Sequence, residues 1–462
     1  MLLTAPSTIP SAPGLEDSGF DVGPAEMEAL LDIPGVAGLG EVMDFNAVAA
    51  GDERMLSVIE AAANHGVFLD GHVSALTGRR LQTFRAMGID SDHTVPSAEK
   101  LREELALGFT VQVQECMLNR EIVQTMNDAP VQDRICLVTD DVPLPRLMRQ
   151  GHLNFVVERA IELGLDPIRA IRYVTINLPS GCGCITQAAS PLAWRRTFSW
   201  CGTCAIQAGA GAPERGSGLG PRQLSAPHRS LSDPGPPAGL RSSPSRDRGG
   251  FCRPGAGALR FFRRHRSGKP DGPGRHLHPH PLVRKALPLS AEEQGFARLE
   301  TAPYLKMAVF NRYGRDQHGI GLLTGVDGVT GAAALTYGHD CHNLTVYGGN
   351  GADMALAANT LRDAQGGLCT AENGKVLTLI PLPLAGLMCD QSPEALLAQM
   401  EQFLADCRRM GFTHKNLLTF FTLMPLAVSP ELKCTDRGLV DALHKRLLPL
   451  IEEIKEISSD GT

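Results

Sequence analysis

Side chains that commonly bind metal ions stand at the ends of four short apolar runs in the first third of this 462-residue chain. The runs are GVAGLGEVM, VFLDGHV, GIDSDH and ICLVTDD, and the side chains are Glu41, His72, His93 and Asp140. If the runs are parallel strands, their carboxyl ends open on one face, where α/β barrels carry their active sites. The sequence therefore predicts that the four side chains converge.

Together, these residue types predict a hydrolytic metal centre. Glu41, His72 and His93 supply three ligands to a zinc-like or manganese-like ion and leave room for water. Such an ion lowers the pKa of its water towards about 7, and Asp140 could accept the proton. Taken singly, each histidine also fits a hydrogen-bonded loop residue, and Asp140 a capping residue. Their coincidence at strand ends favours hydrolysis at a carbon bearing nitrogen.

The spacing of the runs predicts the elements that position these side chains. A fifth run, FTVQVQE, lies between the third and the fourth. Successive runs are roughly 20 to 30 residues apart, which is room for one strand, one helix and two loops. We predict helices at 52–63, 97–106 and 153–163 from their caps and apolar spacing. Residues 1–180 are thus expected to form an α/β domain with a parallel sheet.

The segment 181–290 is rich in Gly, Pro, Ser and Arg and has no hydrophobic periodicity. It cannot bury enough apolar surface to offset the entropy of ordering, so we predict disorder. An ordinary linker and a change of reading frame both stay open as its origin. Four of its cysteines have a spacing that could bind zinc, but we interpret them as incidental: Cys182, Cys184, Cys201 and Cys204.

From residue 291 onwards, alternating strand and helix patterns return and predict a second, α+β domain at 291–462. An Asn-Gly dipeptide at 373–374 is a strong signal for a two-residue hairpin turn. Helices are predicted at 353–364, 392–409 and 439–454.

The overall composition excludes several classes of partner. The formal net charge of -6 gives no electrostatic footprint for nucleic acid or an anionic membrane. The first residues lack a basic and apolar leader, and no run approaches the roughly 18 apolar residues of a membrane span. Twelve cysteines in so long a chain are too dilute for a disulfide scaffold. We therefore expect a cytoplasmic protein with a small-molecule substrate.

Several ordered motifs resemble those of a known family, the adenine deaminases of the metal-dependent amidohydrolase superfamily. In the first domain they are GLGEVMDF, DGHVSALTG, GIDSDH, RICLVTDD and GHLNFVVERAIELGLDPIRAIRYVTIN. In the second they are GHDCHNLTVYGGN, LRDAQGGL, LPLPLAGLM and ELKCTDRGLVD. The resemblance covers about residues 25–180 and 300–450, as estimated from the matching segments.

The resemblance implies an amidohydrolase-type (β/α) barrel that converts adenine and water to hypoxanthine and ammonia. It assigns Glu41, His72, His93 and Asp140 to the metal ligands of strands 4, 5, 6 and 8, with Glu41 as the bridge between two ions. Manganese is the metal that the resemblance favours, with iron or zinc as alternatives, and a homodimer is the candidate assembly.

The sequence departs from the family pattern in three places. The superfamily begins its barrel with an H-x-H strand, and none precedes Glu41, so we expect an incomplete barrel of strands 4 to 8. The H-x-H runs at 276–280 are interpreted as incidental. Thr94 follows His93, where the family usually has an acidic residue.

These departures keep other interpretations open. The chain could be a catalytically inactive fragment, a remnant that binds a single metal, or an amidohydrolase acting on another cyclic amide. In the second domain, His339 and His342 are possible additional contributors to the site, but turn residues at a strand start explain them equally well.

Overall fold

The structure, a computed structural model, describes six ranges with their side chains and two further strands by backbone alone. The ranges are 3–73, 76–177, 304–323, 326, 328–429 and 431–450, the two strands are Leu259–Arg264 and Leu282–Leu287, and Thr324 is likewise described by its backbone alone.

The N-terminal part alternates strands and helices. Its strands are β1 (Leu3–Ala5), β2 (Val36–Val42), β3 (Phe68–Gly71), β4 (Ser91–Asp92), β5 (Thr110–Gln114) and β6 (Ile135–Val138). Its helices are α1 (Pro24–Leu31), α2 (Phe45–Ala50), α3 (Glu53–Asn64), α4 (Gly78–Ala86), α5 (Ala98–Leu107), α6 (Arg120–Asp128), α7 (Leu144–Gln150), α8 (Leu153–Glu162) and α9 (Pro167–Thr175). All five predicted strands are present, and β1 is a further strand that the sequence did not predict.

The six strands are parallel and follow the order of the chain. They form two three-stranded sheets, β1-β2-β3 and β4-β5-β6. Between the sheets, the Asp90 backbone accepts from Thr110 N at 2.7 Å and donates to Leu69 O at 3.1 Å. The carboxyl ends of β2, β3 and β4 therefore come together at one edge.

Capping residues start the helices that return the chain between strands. Asp52, Ser97 and Asn119 each accept a backbone hydrogen bond from the first turn of α3, α5 and α6. The apolar face of α3 then packs Val58 and Ile59 into the core of this part. These helices return the chain so that the next strand can pair in parallel with the strand before it.

The C-terminal part is built on an antiparallel sheet. Its strands are β7 (Leu259–Arg264), β8 (Leu282–Leu287), β9 (Leu305–Phe310), β10 (His318–Thr324), β11 (Ala332–Leu335), β12 (Leu344–Gly348), β13 (Gly367–Glu372) and β14 (Lys375–Pro381). The order is β14-β13-β11-β12-β9-β10-β7-β8, and only the β10–β7 pair is parallel. Strands β7 and β8 fall within the segment 181–290. The rest of that segment, including its cysteines and its H-x-H runs, lies outside the described residues.

Helices and a small second sheet complete this part. They are α10 (Gly351–Asp363), α11 (Pro393–Arg409), α12 (Leu417–Leu423), β15 (Leu432–Thr435), β16 (Gly438–Asp441) and β17 (Arg446–Leu448). Tyr347, Phe403, Phe412 and Phe421 are fully buried between these elements and the large sheet. No helix among the described residues is long and apolar enough to cross a membrane.

The helix predicted at 439–454 is wrong within the described residues. Leu439 and Val440 are buried in β16, which pairs with β15. The Asp441 carboxylate accepts a hydrogen bond from His444 N at 3.2 Å and starts the turn into β17. Pairing with a buried strand therefore overrides the local helical periodicity.

The N-terminal segment is bound by the C-terminal part. Asn311 Nδ2 donates to Asp17 Oδ2 at 3.0 Å and to Asp436 Oδ2 at 2.9 Å. Thr435 Oγ1 donates to Leu15 O at 2.5 Å. Because the two aspartates are almost fully buried, the amide of Asn311 separates charges that would otherwise repel.

We predict that Asn311→Ala lowers the free energy of unfolding by about 1–3 kcal/mol, because two buried carboxylates lose their shared donor. The urea midpoint of the full chain measures the effect. Asn46→Ala, which removes only an exposed bond from Arg80, is the control and should change stability by less than about 0.5 kcal/mol. Equal midpoints for the two variants would contradict the role of Asn311.

Candidate metal centre

Three of the four sequence-predicted ligands meet at the edge formed by β2, β3 and β4. Glu41 is the penultimate residue of β2, and His72 and His93 directly follow β3 and β4. Glu41 Oε2 lies 2.8 Å from His72 Nδ1 and 3.0 Å from His93 Nε2. The two imidazole nitrogens are 3.0 Å apart. Among the described residues, no other group of three or more His, Cys, Asp or Glu side chains is placed to hold a metal ion.

The chemistry of this triad suits a divalent cation. Three atoms with lone pairs point at one another, and the two rings meet edge to face at 83° with centroids 4.8 Å apart. An ion about 2.0–2.2 Å from nitrogen and oxygen ligands would replace the contact between the two ring nitrogens with favourable bonds. Glu41 is 44% exposed, so an open side remains for water and substrate.

Hydrogen bonds and charges within the triad together outweigh burial in setting the pKa values of Glu41 and His93. Partial burial alone would raise the pKa of Glu41, but donation and positive charge from His72 and His93 hold it well below its usual range. Burial alone would lower the pKa of His93, but the hydrogen bond and charge of Glu41, with Asp70, raise it to about 10. The contacts that favour a proton on His93 would also favour a cation bound among the three side chains.

Asp140 lies beside the triad and is not part of it. It follows β6 by two residues and adopts a left-handed backbone conformation with φ 54°. Gln114, at the end of β5, donates a hydrogen bond to its carboxylate. Burial raises the pKa of Asp140, and the charge of His93 lowers it in part. Asp140 thus lies within electrostatic range of the ligands without touching them.

The two histidines of the second domain have different positions. His339 Nε2 lies 2.8 Å from the carboxylate of Asp141, the residue after Asp140. His342 instead accepts a hydrogen bond from Gly338 N at 3.3 Å, within its own loop. Burial and the charge of His339 lower the pKa of His342 to about 4, so it is neutral. Only His339 reaches the neighbourhood of the site.

Residues that support the ligands were missed by sequence reasoning. Asp70 Oδ2 lies 4.0 Å from His93 Nδ1, and Gln112 Nε2 donates to Asp70 Oδ1 at 2.9 Å. For Asp70 a signal existed, because it precedes His72 by two residues and residues two apart share a face of a strand. Gln112 lies in the run FTVQVQE, which carried no candidate ligand, so nothing in the sequence singled it out.

Comparisons with known proteins show which family this chain is similar to. Residues 284–446 match the family described as "Adenine deaminase C-terminal domain". The adenine deaminase of Moorella thermoacetica is 34% identical over 97% of this chain and 76% of its own. That of Klebsiella pneumoniae subsp. pneumoniae is 31% identical over 99% of this chain and 76% of its own. Among solved structures, N-acetyl-D-glucosamine-6-phosphate deacetylase from Mycobacterium smegmatis matches with TM-score 0.29 and 18% identity, over 36% of this chain and 50% of that one.

Parallel strands with ligand-type side chains at their carboxyl ends define a mixed α/β protein of the kind that holds an open divalent-metal centre. The chain belongs to the adenine deaminase family.

We predict that Mn²⁺ affinity rises with pH, because the ion must displace the proton that His93 holds below a pKa of about 10. With one proton displaced, affinity should strengthen about tenfold per pH unit between about pH 6.5 and 8.5. Titration of the metal-stripped chain, followed by the electron paramagnetic resonance signal of free Mn²⁺, measures this. His444→Asn, which changes a largely exposed histidine, should keep the same slope. A flat profile would contradict the prediction.

Proposed function

We propose that this protein is an adenine deaminase, which converts adenine and water to hypoxanthine and ammonia at a divalent-metal centre made by Glu41, His72 and His93. The observation that carries the proposal is the convergence of these ligand atoms within 4.8 Å of one another. Membership of the adenine deaminase family supports adenine as the substrate.

We also propose that the parallel strands belong to an amidohydrolase-type (β/α) barrel, in which β2 to β6 correspond to barrel strands 4 to 8. Two features support this. The strands run in chain order with parallel pairing, and the ligand-type residues lie at the carboxyl end of β2 or shortly after those of β3, β4 and β6. A cytoplasmic location and a homodimer stay predictions from the sequence.

In the proposed reaction, a bound ion would activate water and a side chain would transfer the proton. A divalent ion, when bound, lowers the pKa of water towards about 7 and so supplies a nucleophile at neutral pH. The oxygen of water would add to purine C6, one proton of that water would pass to the exocyclic nitrogen, and the C6–N bond would break to release ammonia. The second proton of water would remain on the product, hypoxanthine. Asp140 is our candidate for accepting the proton from water and delivering it to that nitrogen. Its raised pKa, caused by burial, suits a group that must hold a proton transiently.

The second domain contributes at the rim of the site. His339 binds Asp141 and thereby holds the loop that carries Asp140. Burial alone would lower the pKa of His339, but Asp141 raises it, so the pair is favoured as an ion pair. We therefore place His339 among the positioning residues and leave His342 out of the site.

We predict that His72→Ala and Asp140→Asn both strongly reduce ammonia release from adenine, but for different reasons. His72→Ala removes a ligand and should weaken metal binding as well. Asp140→Asn removes the proton carrier and should keep a bound ion while lowering kcat at least about 100-fold. Ammonia release by metal-loaded protein, with elemental analysis of the same samples, measures both effects.

The control for these variants is Asp363→Asn, which changes an exposed carboxylate far along the chain and should leave turnover unchanged. Wild-type protein that takes up metal but releases no ammonia from adenine would overturn the proposed activity and favour an inactive family member. Ammonia release from another cyclic amide, but not from adenine, would favour a different amidohydrolase.

We further predict that the chain binds close to one Mn²⁺, because the described residues offer one triad and Asp140 stands apart from it. Manganese is our preferred ion, and iron or zinc are the alternatives. Elemental analysis after dialysis against each metal gives the stoichiometry and the preference. Two ions per chain would contradict the single-ion centre and require ligands beyond the triad.

A further inference from the structure

A buried lysine lies directly behind the candidate metal centre. The side chain of Lys100, on α5, is 2% exposed, and those of Asp92 and Glu104 beside it are fully buried. Lys100 Nζ is 2.9 Å from Asp92 Oδ2 and 3.2 Å from Glu104 Oε1. Burying an ammonium group is unfavourable unless its hydrogens and charge are satisfied, so the contacts of Lys100 indicate its role.

All three hydrogens of the Lys100 ammonium have acceptors. Besides Asp92, they reach Val73 O at 2.5 Å and Thr94 O at 3.0 Å. Val73 directly follows the candidate ligand His72, and Thr94 directly follows His93. One side chain therefore holds the backbone just after both histidines.

The regular pairing of the sheet ends just before the two imidazoles. The last paired residue of β3 is Gly71 and that of β4 is Asp92. His72 and His93 come immediately after them, and His72 N still donates to Val42 O of β2 at 3.3 Å. Lys100 thus adds to the support that the sheet gives to the backbone that carries the two imidazoles.

A second set of hydrogen bonds joins the two segments directly. Val73 N donates to Asp92 Oδ1 at 3.0 Å and to Thr94 Oγ1 at 3.0 Å. Thr94 Oγ1 in turn donates to Asp92 Oδ1 at 2.6 Å. Thr94, where the sequence departs from the usual acidic residue, is therefore a member of this network.

We propose that Lys100 is a positioning residue of the metal centre, because it fixes the distance between His72 and His93 through the carbonyls of Val73 and Thr94. The inference rests on the metal site proposed above and assigns to Lys100 the control of metal affinity. Groups that orient metal ligands without touching the ion typically change affinity by about 10- to 100-fold when removed.

The test compares two substitutions of buried lysines in the full-length, metal-stripped chain. Lys100→Met keeps the length of the side chain and removes its three hydrogen bonds. We expect its Mn²⁺ dissociation constant to rise about 10- to 100-fold, as measured by the electron paramagnetic resonance signal of free Mn²⁺. Lys433→Met, on β15, changes another buried lysine and should leave the constant within about twofold of wild type.

A purely structural role would give a different result in a double variant. Asp92→Asn combined with Lys100→Met removes the buried Lys100–Asp92 ion pair, so the urea midpoint should recover relative to Lys100→Met alone. The carbonyls of Val73 and Thr94 still lack their donor, so metal affinity should stay weak. Recovery of affinity along with stability would overturn the positioning role.

Thr94→Val gives a milder probe that keeps Lys100 in place. It removes the hydroxyl that binds Val73 N and Asp92, and we expect affinity to weaken by up to about tenfold. Thr370→Val is its matched control, because Thr370 is also fully buried and bound to an aspartate, Asp406, in the C-terminal sheet. That control should leave affinity unchanged.

The outcomes separate this inference from the proposed function. Wild-type chain that binds Mn²⁺ with the same affinity as Lys100→Met and Thr94→Val would overturn the role of Lys100 and leave the metal centre standing. Wild-type chain that binds no Mn²⁺ would overturn the metal centre itself.

Discussion

Parallel pairing between β2 and β3 is the constraint on which the candidate site depends. Leu39 pairs with Leu69 and Val42 with Gly71, so the register shifts by one residue between these pairs, and Glu41 lies within the irregularity. Beyond the shift, His72 N donates to Val42 O at 3.3 Å, which keeps His72 beside the end of β2. Leu39 and Leu69, which are buried in one core, hold the pairing that precedes the shift. Packing of the core therefore determines the geometry of the polar edge.

A surplus of negative charge distinguishes this edge. Asp70 and Asp140 stand around Glu41 and His93, and burial raises the pKa of both aspartates. In the metal-free chain, the proton on His93 partly compensates for this charge. A divalent cation would compensate more completely, and it would release that proton. The buried cation immediately behind the site, Lys100, has its own partners, Asp92 and Glu104.

The meeting of Glu41, His72 and His93 could be predicted from the sequence because its signal is local. Glu41, His72 and His93 each end an apolar run, and parallel strands gather such ends at one edge. Asp140 was predicted to join them, but a left-handed backbone and its bond with Gln114 hold it beside the triad. That displacement depends on the conformation of a loop, which a pattern of apolar runs does not encode.

The role of Lys100 and the strand at Leu439 and Val440 were not predicted, because the residues that they contact are distant in sequence. Lys100 lies at a helix position that looks solvent-exposed from periodicity alone, and only the fold brings it to the carbonyl of Val73. Leu439 and Val440 fit a helical pattern until β15 supplies a strand to pair with. In each case a non-local contact outweighs the local preference.

The second domain is linked to the site by physical contacts as well as by the chain. Asn311 binds Asp17, which holds the segment that leads from β1 into α1, and His339 binds Asp141 beside Asp140. These contacts lie on opposite sides of the ligand-bearing strands in the sequence. Asp140 has a left-handed backbone and is not part of the triad. Its position is therefore set by contacts of its own loop, which are those of Asp140 with Gln114 and of Asp141 with His339. The C-terminal sheet, by supplying His339, therefore helps to determine where the candidate proton carrier stands.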